Sequence, residues 1–170
     1  MNNDKQKAIF LDRDGVLNKE LNDYVRSVES FQILFDNIEP IKILQQKNYL
    51  LIVITNQAGI GKGLYTKETL KNIHQVLIDT YKEFGVHFDE IYYCPHSPEH
   101  DGKCLCRKPN SLLIEKAIAR FNIDPTLSYF IGDKDRDIIA AQKAGVIGLL
   151  INSNEPINRL LKTILTPENV

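Results

Sequence analysis

Asp12 and Asp14, separated by one residue in the run Asp12-Arg13-Asp14-Gly15, follow directly on a short apolar segment and have the spacing for phosphoryl transfer. One carboxylate would attack phosphorus. The other would lend a proton to the leaving oxygen and later take one from water. Read as a continuation of a strand, the run puts Asp12 and Asp14 on one side while Arg13 points away. Two close carboxylates repel, and a divalent cation would relieve the repulsion. Asp133 offers a further oxygen for that ion, and Mg2+ suits such a hard donor set best. The negative charge on a transferred phosphoryl group calls for fixed donors, which Thr55, Lys108 and the backbone amides of the Asp14-Gly15 turn could provide.

A second cluster is built from sulfur. Cys94-Pro95-His96 is followed, after seven residues, by Cys104-Leu105-Cys106, and these are all three cysteines of the chain. Three thiolates and one imidazole in two tight clips form the donor set of a closed, tetrahedral, structural Zn2+ site. An odd count in so short a span is unsuited to a disulfide framework. His100 is the lesser alternative to His96, and His74 and His87 read as ordinary helix and loop residues. With four protein ligands the zinc has no open position, so its role would be to hold the loop and deliver Arg107 and Lys108. Asp137 lies four residues after Asp133, roughly one helical turn on. It either orients Lys108 or a metal-bound water, or is a helix-start carboxylate favoured by the dipole. Asp135 reads as such a helix-start charge.

These groups need a scaffold that brings strand ends together. The runs Ala8 to Leu11, Tyr49 to Ile54, Ile91 to Tyr93, Tyr129 to Ile131 and Gly148 to Ile151 have the short apolar character of buried strands. Between them the spacing predicts helices over Ile38 to Gln46, Lys67 to Phe84, Ser111 to Phe121 and Asp135 to Ala144. In the second, Leu70, Ile73, His74, Leu77, Ile78 and Tyr81 make one stripe behind a Thr66 cap. In the last, Ile138, Ile139, Ala141 and Ala144 would face the sheet, with Gly145 as the stop. Strands alternating with helices imply a doubly wound α/β fold with a mainly parallel, Rossmann-like sheet. If the first strand is central, with the second and fourth beside it, Asp12, Asp14, Thr55, Asn56 and Asp133 converge at the carboxyl ends, where open α/β sheets bind ligands. No connection is long enough for a separate cap domain. The tail from Asn152 looks partly helical.

At 170 residues, with 43% hydrophobic and 25% charged residues, the chain fits one domain over residues 1–170. A net charge of -1 gives no field to gather nucleic acid or an anionic membrane, so a small phosphorylated metabolite must be held by local cations. A polar start and the lack of any apolar run of about 20 residues point to a cytoplasmic protein, expected as a monomer.

The ordered runs Phe10-Leu11-Asp12-Arg13-Asp14-Gly15, Ile54-Thr55-Asn56-Gln57, Arg107-Lys108-Pro109 and Ile131-Gly132-Asp133-Lys134-Asp135-Arg136-Asp137 resemble the haloacid dehalogenase-like (HAD) superfamily in its phosphatase branch. The resemblance implies Asp12 as nucleophile, Asp14 as general acid/base, Thr55 as phosphoryl donor and Lys108 as neutralising cation. Mg2+ would be held by Asp12, Asp133 and the backbone carbonyl of Asp14. The zinc loop without a cap is similar to that of the histidinol-phosphate and heptose-bisphosphate phosphatases. The run Thr55 to Gly63, the stretch Ile91 to His96 and Gly132-Asp133-Lys134 favour the heptose branch. That likeness implies substrate contacts from Arg13, Asn22, Asp23, Tyr24, Asn56 and Gln57, a second phosphate at Arg107, and an added cation in Lys134. Histidinol phosphate would instead need a carboxylate for its amine, such as Asp23 or Glu20. Two non-catalytic classes compete: a phospho-receiver module, which would carry its acceptor where this chain has Cys94, and a zinc-stabilised interaction domain.

Overall fold

A computed structural model describes residues 5–166. Residues 1–4 of the polar start lie outside the described residues. The elements run β1 (Lys7–Leu11), a 3-10 turn (Phe35–Asn37), α1 (Ile38–Gln46), β2 (Tyr49–Asn56), α2 (Lys67–Glu83), β3 (Glu90–Cys94), α3 (Leu112–Phe121), a 3-10 turn (Pro125–Leu127), β4 (Tyr129–Gly132), α4 (Asp135–Lys143), β5 (Ile147–Leu150) and α5 (Leu160–Leu165). All five strands are parallel, in the order β3-β2-β1-β4-β5. The first strand is therefore central, with β2 and β4 beside it.

The alternation along β1 explains how the sheet is covered. Ile9 and Leu11 join a core with α1, α2 and α5, while Ala8 and Phe10 join another with α3 and α4. All four are fully buried, which is why this strand reads as an unbroken apolar run and not as an alternating one. Phe10 pairs with Ile52 of β2 and Phe130 of β4 in register, and Phe10→Ala would remove about 3–5 kcal/mol by leaving a cavity at the sheet centre.

The helices follow the expected bounds closely, but two faces are rotated. In α2 the buried stripe is Leu70, Ile73, His74, Leu77 and Tyr81, and Thr66 caps the helix by accepting from the Thr69 amide at 3.0 Å. Ile78, expected in the stripe, is exposed. In α4 the inward positions are Asp137, Ala140 and Ala141, not Ile139, which is exposed, nor Ala144, which is only half-buried. The cause is Asp137. Its buried carboxylate takes a place on the inner face and so sets the helix rotation. Gly132 makes room for it, since a Cβ there would fall 2.4 Å from the Asp137 Cβ.

No helix among the described residues is long and apolar enough to cross a membrane.

Candidate active site

The polypeptide leaves β1 through a tight turn in which the Arg13 carbonyl accepts from the amides of Val16, Leu17 and Asn18. Gly15 sits at φ +83°, and a Cβ there would meet Asp133 Oδ2 at 2.4 Å, so both the backbone and the space demand glycine. The turn thus packs directly on the end of β4.

Lys108 lies at the centre of the charge arrangement, fully buried. Its ammonium donates to Ile54 O (2.7 Å) and stands in ion-pair contact with Asp12 Oδ1 (2.9 Å) and Asp137 Oδ1 (2.8 Å). Burial alone would lower the lysine, but the two carboxylates outweigh it and hold it above its usual value, so it stays charged. Asn56 clasps the Lys108 backbone from both sides, accepting from its amide at 3.0 Å and donating to its carbonyl at 3.1 Å. A residue at the end of β2 therefore fixes a lysine that arrives from a distant loop.

Asp12 receives Lys108 and the Arg13 amide on Oδ1, and no hydrogen bond is made to Oδ2. Burial pushes the Asp12 carboxyl up to about 7 despite the pull of Lys108, with Asp137 and Asp14 adding to the rise. A further cation at this place would bring it back to the ionised form. Oxygens of Asp12, Asp133 and Asp137 lie within 4.8 Å of one another, all buried. Asp137 is already engaged, with Oδ1 on Lys108 and Oδ2 accepting from the Lys134 amide at 3.1 Å. Asp133 Oδ1 is buried without a partner, and the Asp14 carbonyl accepts no hydrogen bond among the described residues. An orphaned carboxylate oxygen, a free carbonyl and an ionisable aspartate raised by burial fit a hard divalent cation.

Asp14 is held differently. Burial would raise it, but the Arg13 charge and hydrogen bonds from Arg13, Asn18 and Gln57 keep its carboxyl below the ordinary range. Arg13 does not point away. Its guanidinium returns to grip Asp14 at 2.8 and 3.0 Å, because the turn leaves strand geometry at this residue. Gln57 Nε2 donates both to Asp14 Oδ2 (3.0 Å) and to Thr55 Oγ1 (2.8 Å), and Tyr65 fixes the amide's orientation by donating to its Oε1 at 2.6 Å. Since Thr55 Oγ1 accepts from Gln57, its own proton remains free to donate to a ligand.

Asp12, Arg13, Asp14, Asn22, Asp23, Tyr24, Asn56, Gln57 and Arg107 line one cavity of about 280 Å3. Glu20, Val25, Ala58 and Arg136 complete it. Lys134 is not among the lining groups; its ammonium pairs with Asp133 at 3.0 Å and Ser153 at 2.8 Å. Asp135 is exposed at the helix start. His74 is more than an ordinary helix residue: burial and the Arg13 charge, with Nη1 at 3.5 Å, push it down to about 3. A larger cavity of about 470 Å3 between α2 and the edge strand β3 holds none of the carboxylates of the charge cluster and is not the site of the chemistry.

The sulfur cluster lies at the end of β3. Cys94 Sγ is 3.1 Å from Cys106 and 3.6 Å from Cys104, and His96 Nδ1 is 3.2 Å from Cys106 Sγ and 3.5 Å from Cys94 Sγ. Zinc–sulfur bonds of about 2.3 Å in a tetrahedron separate sulfurs by about 3.8 Å, so the four donors need only small shifts to close on Zn2+. Burial pushes the Cys94 thiol up, and the Arg107 amide and neighbouring thiols bring Cys104 down to about 7 against its own burial. His96, not His100, completes the set.

A family model described as HAD-hydrolase-like matches residues 105–167. The D-glycero-beta-D-manno-heptose-1,7-bisphosphate 7-phosphatase of Haemophilus ducreyi is 43% identical over 83% of this chain and 80% of its own. The chain belongs to the HAD-like phosphatases. A D-glycero-alpha-D-manno-heptose-1,7-bisphosphate 7-phosphatase of Photorhabdus laumondii is 37% identical over 100% of this chain and 96% of its own. The crystal structure of D,D-heptose 1,7-bisphosphate phosphatase from B. bronchiseptica, complexed with magnesium and phosphate, superposes with a TM-score of 0.80 at 34% identity, covering 85% of this chain and 80% of that one. As a HAD-like phosphatase the chain is a phosphoric monoester hydrolase, and its buried acidic cluster and its Cys/His cluster could each hold a metal ion.

Proposed function

We propose that this phosphatase, acting as a single domain, removes the 7-phosphate of D-glycero-D-manno-heptose 1,7-bisphosphate through a phospho-aspartate on Asp12. The observation that carries the chemistry is the pairing of Lys108 with Asp12 through Oδ1 alone, which leaves Oδ2 free at the cavity floor. The relatives' substrates support the sugar.

In the first half-reaction Asp12 Oδ2 bonds to phosphorus, the bond to the sugar oxygen breaks, and Asp14 gives that oxygen its proton. Asp14 rests ionised, and a phosphate dianion arriving beside it favours the protonated form needed for this step. In the second half-reaction Asp14 takes a proton from water as the water attacks phosphorus, and Asp12 is released. Thr55 donates to the phosphoryl oxygens, and Lys108 keeps Asp12 aligned while balancing charge. Asp12, Asp133 and the Asp14 carbonyl would hold Mg2+, which supplies charge neutralisation for the phosphoryl group. The zinc set Cys94, His96, Cys104 and Cys106 holds the loop that ends in Arg107 and Lys108. Arg13 and Gln57 act by positioning Asp14, and Asp137 by positioning Lys108.

Of the two entrance carboxylates that histidinol phosphate would require, Asp23 is paired with Arg26 at 3.0 Å, and Glu20 accepts from the Asn22 amide at 2.8 Å. Both are occupied within their own loop, which favours the sugar bisphosphate. Phosphate release from the two heptose bisphosphate anomers and from histidinol phosphate, with and without magnesium, tests the reading. The expected order is heptose bisphosphate above histidinol phosphate, with activity lost on chelation; faster turnover of histidinol phosphate would overturn it.

A further inference from the structure

The cations around the cavity divide into those that the protein neutralises and those that it does not. Lys108 is balanced by Asp12 and Asp137, Arg13 by Asp14, and Lys134 by Asp133. Two guanidinium groups lining the same cavity have no ion pair among the described residues: Arg107 and Arg136. Arg107 makes one long hydrogen bond, to the His96 carbonyl at 3.5 Å. Arg136 makes none among the described residues, where its Nε is buried without a partner.

A buried, unpartnered donor on a cation is costly unless something external completes it. The cavity's own carboxylates are engaged elsewhere: Asp14 and Asp23 with other arginines, Asp12 with Lys108, and Glu20 with the Asn22 amide. What fits two unpaired guanidinium forks is a tetrahedral oxyanion, which each can meet with parallel N–H donors. The transferred phosphoryl group already has Thr55, Lys108 and the turn amides. Arg136 stands on the first turn of α4 beside Asp137, whose carboxylate fixes that turn on Lys108 and the Lys134 amide, so it projects from a rigid element. Arg107 comes from the zinc loop on the other side of the sheet centre.

We propose that Arg136 joins Arg107 in binding the phosphate that is not transferred, and thereby sets the preference for a sugar bisphosphate over a sugar monophosphate. This rests on the bisphosphate reading above. A site built with charged donors for a second phosphate rejects the analogue that lacks it.

The test is the ratio of kcat/KM on heptose 1,7-bisphosphate to that on heptose 7-phosphate, in the magnesium-loaded protein. For Arg136→Ala the ratio is expected to fall at least about tenfold, chiefly through KM for the bisphosphate, and Arg136→Lys should recover part of it as a charge without the fork. An unchanged ratio, or equal losses on both substrates, overturns the assignment, since the residue would then be idle or would serve the transferred group or the fold. The wild-type protein separates this from the reading on which it rests. If unmodified enzyme shows no preference for heptose bisphosphate over histidinol phosphate, the substrate itself is wrong; if it does and only the variant ratio stays fixed, Arg136 is wrong.

Discussion

The floor of the cavity and its rim are built on opposite principles. On the floor, Lys108, Asp12 and Asp137 are buried and balance one another's charge in close ion pairs. At the rim, Arg107 and Arg136 have charge without a counter-ion. A preorganised floor needs no rearrangement when charge develops at phosphorus, whereas an unsatisfied rim is completed by what binds. The chemistry and the selectivity are therefore separable by mutation.

The largest effect should come from the floor. Asp12→Asn, which keeps shape and removes the nucleophile, is expected to lower kcat by at least about 10^4-fold with little change in thermal stability. Next, Lys108→Met leaves Asp12 and Asp137 buried and unpaired, and should destabilise the fold by about 3–5 kcal/mol in denaturant titration, besides abolishing turnover. If Lys108→Met were as stable as wild type, the charge-balance argument would be broken.

The zinc loop connects the two regions. Metal analysis should find one zinc per chain, lost in Cys104→Ser together with Cys106→Ser, and the double variant should lose activity on every phosphate ester, because the loop that carries Arg107 and Lys108 is no longer held. A zinc-free variant with full activity would detach the loop from the floor.

A smaller effect is set by pH. His74 is neutral when folded because burial and Arg13 hold it at about 3, while unfolded it titrates near 6.5. Below about 6.5 the unfolded chain gains a proton that the folded one refuses, so stability falls with acid, by up to about 2 kcal/mol between pH 7 and pH 5. His74→Gln should flatten that part of the stability profile. Smallest is Tyr65→Phe, which frees the Gln57 amide and should lower kcat by about three- to tenfold with little change in KM.

What was legible in the sequence follows the same division. The meeting of Asp12, Thr55 and Asp133 at one end of the sheet could be read because the strand ends place them there, and the central place of the first strand follows from alternation and handedness. The Cys/His cluster was legible because its four members form two local clips. The direction of Arg13 was not, since strand alternation fails once the chain turns at Gly15. Nor was the α4 face, where Asp137 turns inward and Ile139 outward because Lys108, distant in sequence, draws the carboxylate in. His74 looked like any member of an apolar stripe until Arg13 was beside it. Arg136, set between Asp135 and Asp137, resembles a solvated charge in an acidic helix start; its lack of a partner is a property of the folded cavity alone.

The central claim is the covalent phosphate on Asp12. Rapid acid quench of the magnesium-loaded enzyme with substrate labelled in the transferred phosphate, followed by peptide mapping, should find the label as a hydroxylamine-sensitive acyl phosphate on Asp12 before steady state, and none in Asp12→Asn. Full turnover in Asp12→Asn, or label on any other residue, would contradict it.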